Sequence, residues 1–93
     1  MDWNFRNDQP IYSQLTQRLT EAIVSGIYAP GEKLPSVREL AVEAGVNPNT
    51  VQRALSELER DGLVFSQRTA GRFVTENENM IANAKLRIAD ERA

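Results

Sequence analysis

Apolar residues recur at four-residue steps through the first quarter of the chain. Ile11, Leu15, Leu19 and Ile23, flanked by Tyr12 and Ala22, form the single stripe of an amphipathic helix. Asp8-Gln9-Pro10 ahead of it offers a polar cap and a proline that tolerates the first turn. The stripe runs to about Ser25, and Gly26 closes it. Upstream, Trp3 to Arg6 alternates apolar and polar residues, as a short strand or an arm does.

Tyr28 to Pro35 reads as a connector, with a Pro30-Gly31 turn and a Pro35 that discourages helix at Leu34. Ser36-Val37-Arg38-Glu39 is then a capping box, opening a short helix whose buried face is Val37, Leu40, Ala41 and Ala44. Gly45 ends that helix in the position that favours a left-handed residue. Only Val46 separates it from a second start, where Asn47 is a strong N-cap and Pro48 suits the first helical position. Val51, Ala54, Leu55 and Leu58 supply the inward face, and Asp61-Gly62 stops the helix. Two helices joined by so tight a glycine-containing turn are a helix-turn-helix. Leu63–Arg68 and Arg72–Thr75 come next as two strands about a Thr69-Ala70-Gly71 turn, with Gly71 free to take positive φ. A hairpin directly behind a helix-turn-helix is a wing. The expected fold is therefore mainly α with a small β-hairpin: a three-helix core plus wing, followed by part of a C-terminal helix.

That last helix spans much of residues 76–93, where Ile81, Ala84 and Ile88 make a thin apolar stripe suited to one partner surface. Residues 1–75 are expected to form the winged domain, and 76–93 a linker and the start of a dimerisation helix.

Composition removes several classes of chemistry. Of 93 residues none is cysteine and none histidine, so thiol catalysis, disulfides and the commonest zinc ligands and general base are absent. No serine lies in a nucleophile elbow, and neither Lys33 nor Lys85 has a catalytic setting. An enzyme is not expected, nor a cofactor. No apolar run approaches the roughly 20 residues that span a bilayer, and the polar N-terminus does not read as a secretory signal, so a cytoplasmic protein is expected. The net charge of −2 runs against a phosphate-binding domain, which is usually basic. Its distribution reverses that argument. Between Lys33 and Thr75, Lys33, Arg38, Arg53, Arg68 and Arg72 fall on the elements that would face DNA, and only Arg60 does not. The acids Glu57, Glu59 and Asp61 gather at the far end of the second motif helix.

In this architecture the second helix of the motif enters the major groove. Turning its apolar face inward points Asn49, Gln52, Arg53 and Ser56 outward. Asn49 and Gln52 suit adenine edges, and Arg53 suits guanine or phosphate. The free amides from Asn47 to Thr50 suit a phosphate. Arg38 stands in the first turn of its helix, against the dipole. It calls for an external anion or base edge, or for a salt bridge to Glu39 or another nearby acid. Arg68 and Arg72 flank the wing turn, and Lys33 lies in the connector. A winged helix can also serve as a protein-interaction module, but that use calls for an apolar or acidic face, which Asn49, Gln52 and Arg53 do not provide.

The stretch from Pro30 to Ala41, PGEKLPSVRELA, resembles the signature of the GntR family of regulators. Gly45–Leu55, together with Leu58–Val64, is similar to that family's recognition helix. Pro10-Ile11-Tyr12-Ser13-Gln14-Leu15 and the Asn47-to-Val51 form of the helix start are most similar to the YtrA-like subfamily. The resemblance covers roughly residues 9–75. It implies a repressor that binds a two-fold symmetric operator in double-stranded DNA as a homodimer, with Ser36, Arg38, the Asn47–Arg53 stretch and the wing turn (Gly71 included) at the DNA. Thr69 and Ala70 stand where the family usually has a glycine and a basic residue. Family members also continue through further helices, so the chain looks like part of a longer regulator whose dimerisation region, and any small-molecule effector site, lie beyond it.

Overall fold

The computed structural model describes residues 3–92. Its elements run α1 (Ile11–Val24), α2 (Val37–Ala44), α3 (Pro48–Arg60), β1 (Val64–Gln67), β2 (Gly71–Val74) and α4 (Glu78–Arg92). The three-helix core with its hairpin has the expected order. Leu15, Leu19 and Ile23 of α1 meet Leu40 of α2 and Val51, Leu55 and Leu58 of α3, and each of these is 2% exposed or less. Leu63 and Val74 at the base of the hairpin extend the same core. Burying one such leucine stabilises the fold by about 1.5–3 kcal/mol, so this cluster decides how α3 lies against α1.

Local chemistry explains the helix boundaries. The Ser36–Glu39 capping box is formed in both directions. Gly45 ends α2 at φ 69°, a left-handed value that a side chain would strain, and so permits the abrupt turn into α3. Asn47 accepts a hydrogen bond from the Asn49 amide at 2.8 Å, with Pro48 in the first turn. At α1 the boundary differs from expectation. Pro10 occupies the cap position itself with extended ψ of 136°, and no side chain caps the helix. The segment before it is an arm, not a strand. Gln14, buried on α1, accepts from the Arg6 amide at 2.6 Å and donates to the Arg6 and Gln9 carbonyls at 2.8 and 3.0 Å. Trp3 and Phe5 pack on the core, and the Trp3 indole donates to Glu43 at 3.1 Å.

Three further differences bear on the site. The hairpin turn is Arg68-Thr69-Ala70, one residue earlier than expected, because Gly71 pairs with Gln67 and opens β2. Its φ of 110° is the positive value anticipated for it. The connector is also more than a link. Leu34 donates to the Arg72 carbonyl at 2.8 Å, Val74 donates to the Glu32 carbonyl at 2.9 Å, and Lys33 bridges Phe73, so the connector borders the free edge of β2. Finally, part of the stripe on α4 is covered within the domain itself, while Ile88 is half-buried. Ala84 is 1% exposed in the domain's own core, with Met80 and Ile81 packed against it. An alanine there lets α4 lie close to α1. Asn77 caps α4 by accepting from the Asn79 and Met80 amides.

Candidate nucleic-acid interface

The N-terminal end of α2 presents Ser36 and Arg38, both exposed. The Ser36 hydroxyl accepts from the Glu39 amide at 3.1 Å, and the Glu39 carboxylate accepts from the Ser36 amide at 3.2 Å. Glu39 is therefore held in the cap, and the alternative of an Arg38–Glu39 salt bridge does not form. Arg38 has no ion pair or hydrogen bond among the described residues.

On α3, Asn47, Asn49, Gln52, Arg53 and Ser56 are exposed and Thr50 is half-buried, the outward set expected from the apolar period. The side-chain carbonyl of Asn47 is taken by the cap, which leaves its NH₂ group as the outward donor. Ser56 donates back to the Gln52 carbonyl at 2.9 Å and so serves the helix first. Arg53 has a partner that the pattern of α3 alone does not reveal. Its guanidinium carbon lies 3.6 Å from the ring centroid of Tyr12, on the first turn of α1. Tyr12, Asn49, Thr50 and Arg53 line one groove.

The wing turn comes alongside the start of α2. Lys33, Ser36, Val37, Thr69 and Gly71 line the groove between them. A Cβ on Gly71 would stand 3.0 Å from Cε of Lys33, a contact the flexible lysine can relieve by shifting, so it is the φ of 110° that favours glycine here. Lys33 and Arg68 are exposed and make no ion pair among the described residues. Arg72 departs from expectation. Its Nε donates to Oε1 of Glu59 at 2.8 Å, and its side chain is only 23% exposed, so it is not a free cation of the wing. The Ser66 hydroxyl donates to the same oxygen. Those two hydrogen bonds, Ser66 first and Arg72 second, hold the Glu59 carboxyl below its ordinary pKa.

The acids near these elements are thus largely engaged. Glu39 caps α2, Glu59 takes Ser66 and Arg72, and Glu57 pairs with Arg60 at 3.5 Å. Arg38, Lys33 and Arg68 remain as cations without an acidic partner among the described residues. No cluster suited to a metal ion occurs among the described residues, and no helix there is long and apolar enough to cross a membrane.

A helix-turn-helix whose second helix shows amides and a guanidinium outward, backed by a hairpin, defines a winged-helix DNA-binding domain. Residues 11–74 match the family model described as bacterial regulatory proteins, gntR family. The chain belongs to that family, and the relatives it matches carry the names of transcription regulators, not of enzymes. It is 49% identical over 72 residues to the HTH-type transcriptional repressor YtrA of Bacillus subtilis, a match covering 77% of this chain and 55% of that protein. Among solved structures, a GntR family transcriptional regulator from Listeria monocytogenes superposes with a TM-score of 0.90 at 40% identity, covering 94% of this chain and 76% of that one. The DNA-binding domain of AraR in complex with its operator ORX1 gives 0.69 at 28% identity, covering 81% and 92%.

Proposed function

We propose that this domain reads a two-fold symmetric operator as half of a homodimer and represses transcription there. One observation carries the reading. Arg38, Lys33 and Arg68 stand at the starts of the motif and on the wing without a partner among the described residues, while the neighbouring acids are engaged. Unpaired cations on a domain of net negative charge imply an external anion, and a duplex provides one at regular spacing. The operator complex of AraR and the repressor name of YtrA support the same reading.

The roles divide by chemistry. Asn49 and Gln52 read adenine edges in the major groove, and Arg38 reads a guanine. Asn47 and Thr50, with the helix amides around them, hold a phosphate. The Tyr12 stack draws Arg53 toward α1, which suits phosphate better than a base edge. Lys33, Ser36, Arg68 and Gly71 track the backbone beside the wing. Residues 1–75 carry the reading surface, α4 packs on their core through Ala84, and the chain beyond α4 leads toward the dimer contact and any small-molecule effector site.

Selection of duplexes from a random pool by the full-length protein, with footprinting of the winners, tests this. The expected result is an enriched palindrome whose half-sites lie about one helical turn apart. Binding with no sequence enrichment at moderate salt, or capture of a protein partner by the Asn49–Arg53 face in its place, overturns it.

A further inference from the structure

The wing is tied to the recognition helix through one carboxylate. Glu59 lies in the last turn of α3, and its Oε1 accepts from Ser66 on β1 and from Arg72 on β2, the latter at 2.8 Å. Ser66 and Arg72 are opposite each other in the hairpin register. A single oxygen therefore fastens both strands to α3 at the same rung. The same two hydrogen bonds lower its pKa, so the ionised form is the one they hold.

A two-stranded hairpin has little rigidity of its own. Val64 and Val74, buried and paired, fix its base in the core, and the connector holds β2 by its outer edge. The valines act at the base. The connector, though its Leu34 amide reaches the Arg72 carbonyl at 2.8 Å, ties β2 to the start of α2. Among the described residues only Glu59 ties that rung to the end of α3. From Val64 to Arg68 the free lever is about 13 Å at a strand rise of ~3.3 Å per residue, and from Ser66 it is about half that. Glu59 acts two residues nearer the turn than the buried valines, on the side that faces α3.

We propose that Glu59, acting through Ser66 and Arg72, is a positioning residue for the wing: it sets the direction of Arg68 relative to Asn49 and Gln52, so that hairpin and helix engage one duplex together. This rests on the DNA-binding reading above. It assigns Arg72 to the anchor and leaves Arg68 as the wing's own contact. Charge counting makes the opposite forecast, because deleting an acid beside a polyanion tightens binding.

The test is a mutant cycle in the full-length protein, read as the salt dependence of affinity for the selected duplex. Arg68→Ala lowers the salt slope by about one unit in the wild-type background. In Glu59→Ala the same substitution changes it far less, and Glu59→Ala alone weakens binding several-fold despite removing a negative charge. Glu59→Gln, which keeps the acceptor oxygen, restores most of the Arg68 effect. Thermal unfolding is monitored throughout; if Glu59→Ala does not fold, Ser66→Ala with Arg72→Leu takes its place in the cycle. An Arg68→Ala effect of equal size in both backgrounds, or tighter binding by Glu59→Ala, overturns the anchor and leaves the DNA reading intact. A wild-type protein that selects no duplex overturns both.

Discussion

Replacing Tyr12 by leucine removes the ring beneath Arg53 and leaves an apolar side chain on the first turn of α1. In the folded domain the guanidinium sits 3.6 Å from the ring centroid, on an arginine that is otherwise exposed. A cation over an aromatic face at an exposed site gains about 0.5–1 kcal/mol. That energy favours a restricted set of Arg53 conformations before DNA arrives. Without the ring, the ordering cost falls on the binding step, at about 0.5–1.5 kcal/mol for a long side chain. Tyr12→Leu should therefore weaken operator binding by about 1 kcal/mol, roughly five-fold. Tyr12→Phe keeps the ring and should change affinity little. Fluorescence anisotropy titrations of the selected duplex, with thermal midpoints to confirm folding, give both numbers. The deciding measurement repeats Tyr12→Leu on an Arg53→Ala background, where it should add almost nothing. If it costs as much there as in the wild type, Tyr12 touches DNA directly or supports the fold, and pre-ordering of Arg53 is wrong.

Arg38→Ala should cost about 1–3 kcal/mol on the operator and flatten base preference at one position; uniform weakening across all sequences would mean that Arg38 holds only phosphate. Because the folded carboxyl of Glu59 titrates below its ordinary value of 4.5, its contribution to stability is full above that value and is lost as pH falls through the lowered one. The urea midpoints of wild type and Glu59→Gln should accordingly differ at pH 7 and converge in strong acid, and a gap independent of pH contradicts the ionised anchor. Gly45→Ala should destabilise the domain by about 1–2 kcal/mol by chemical denaturation, since φ of 69° is strained for alanine although no atom lies within 4 Å of the added Cβ. An unchanged midpoint would show that the turn relaxes at no cost.

The helix-turn-helix is legible in the sequence because its signals are local. A capping box, a glycine, and an Asn-Pro pair each constrain the backbone within a few residues, and the structure forms all three. The outward set on α3 comes from period alone. The hidden features depend on which elements meet in space. Nothing in the spacing of α1 says that Tyr12 lies under Arg53, or that Gln14 turns inward to hold the arm. Arg72 reads as a wing cation because its partner Glu59 is thirteen positions away on another element. Nor does the stripe of α4 tell that α1 covers part of it, with Ala84 buried there. The hairpin turn moves by one residue because a glycine with positive φ serves equally at the end of a turn or at the start of a strand.

Position 14 shows how strict chemical identity can be in a place where shape alone is permissive. The Gln14 side chain receives one hydrogen bond and gives two, all to the main chain of the arm. Glutamate has nearly the same outline, but it would set a carboxylate oxygen against the carbonyls of Arg6 and Gln9. Lysine could donate to both and would leave the Arg6 amide unanswered. Methionine or leucine would fill the volume and abandon all three groups. Among the twenty side chains, only a primary amide gives two hydrogen bonds and receives one from a single planar group, and asparagine is one methylene shorter. A leucine of the core can be exchanged for another aliphatic with the same contacts in kind, whereas any change at residue 14 leaves main-chain groups of the arm without the partner they have here.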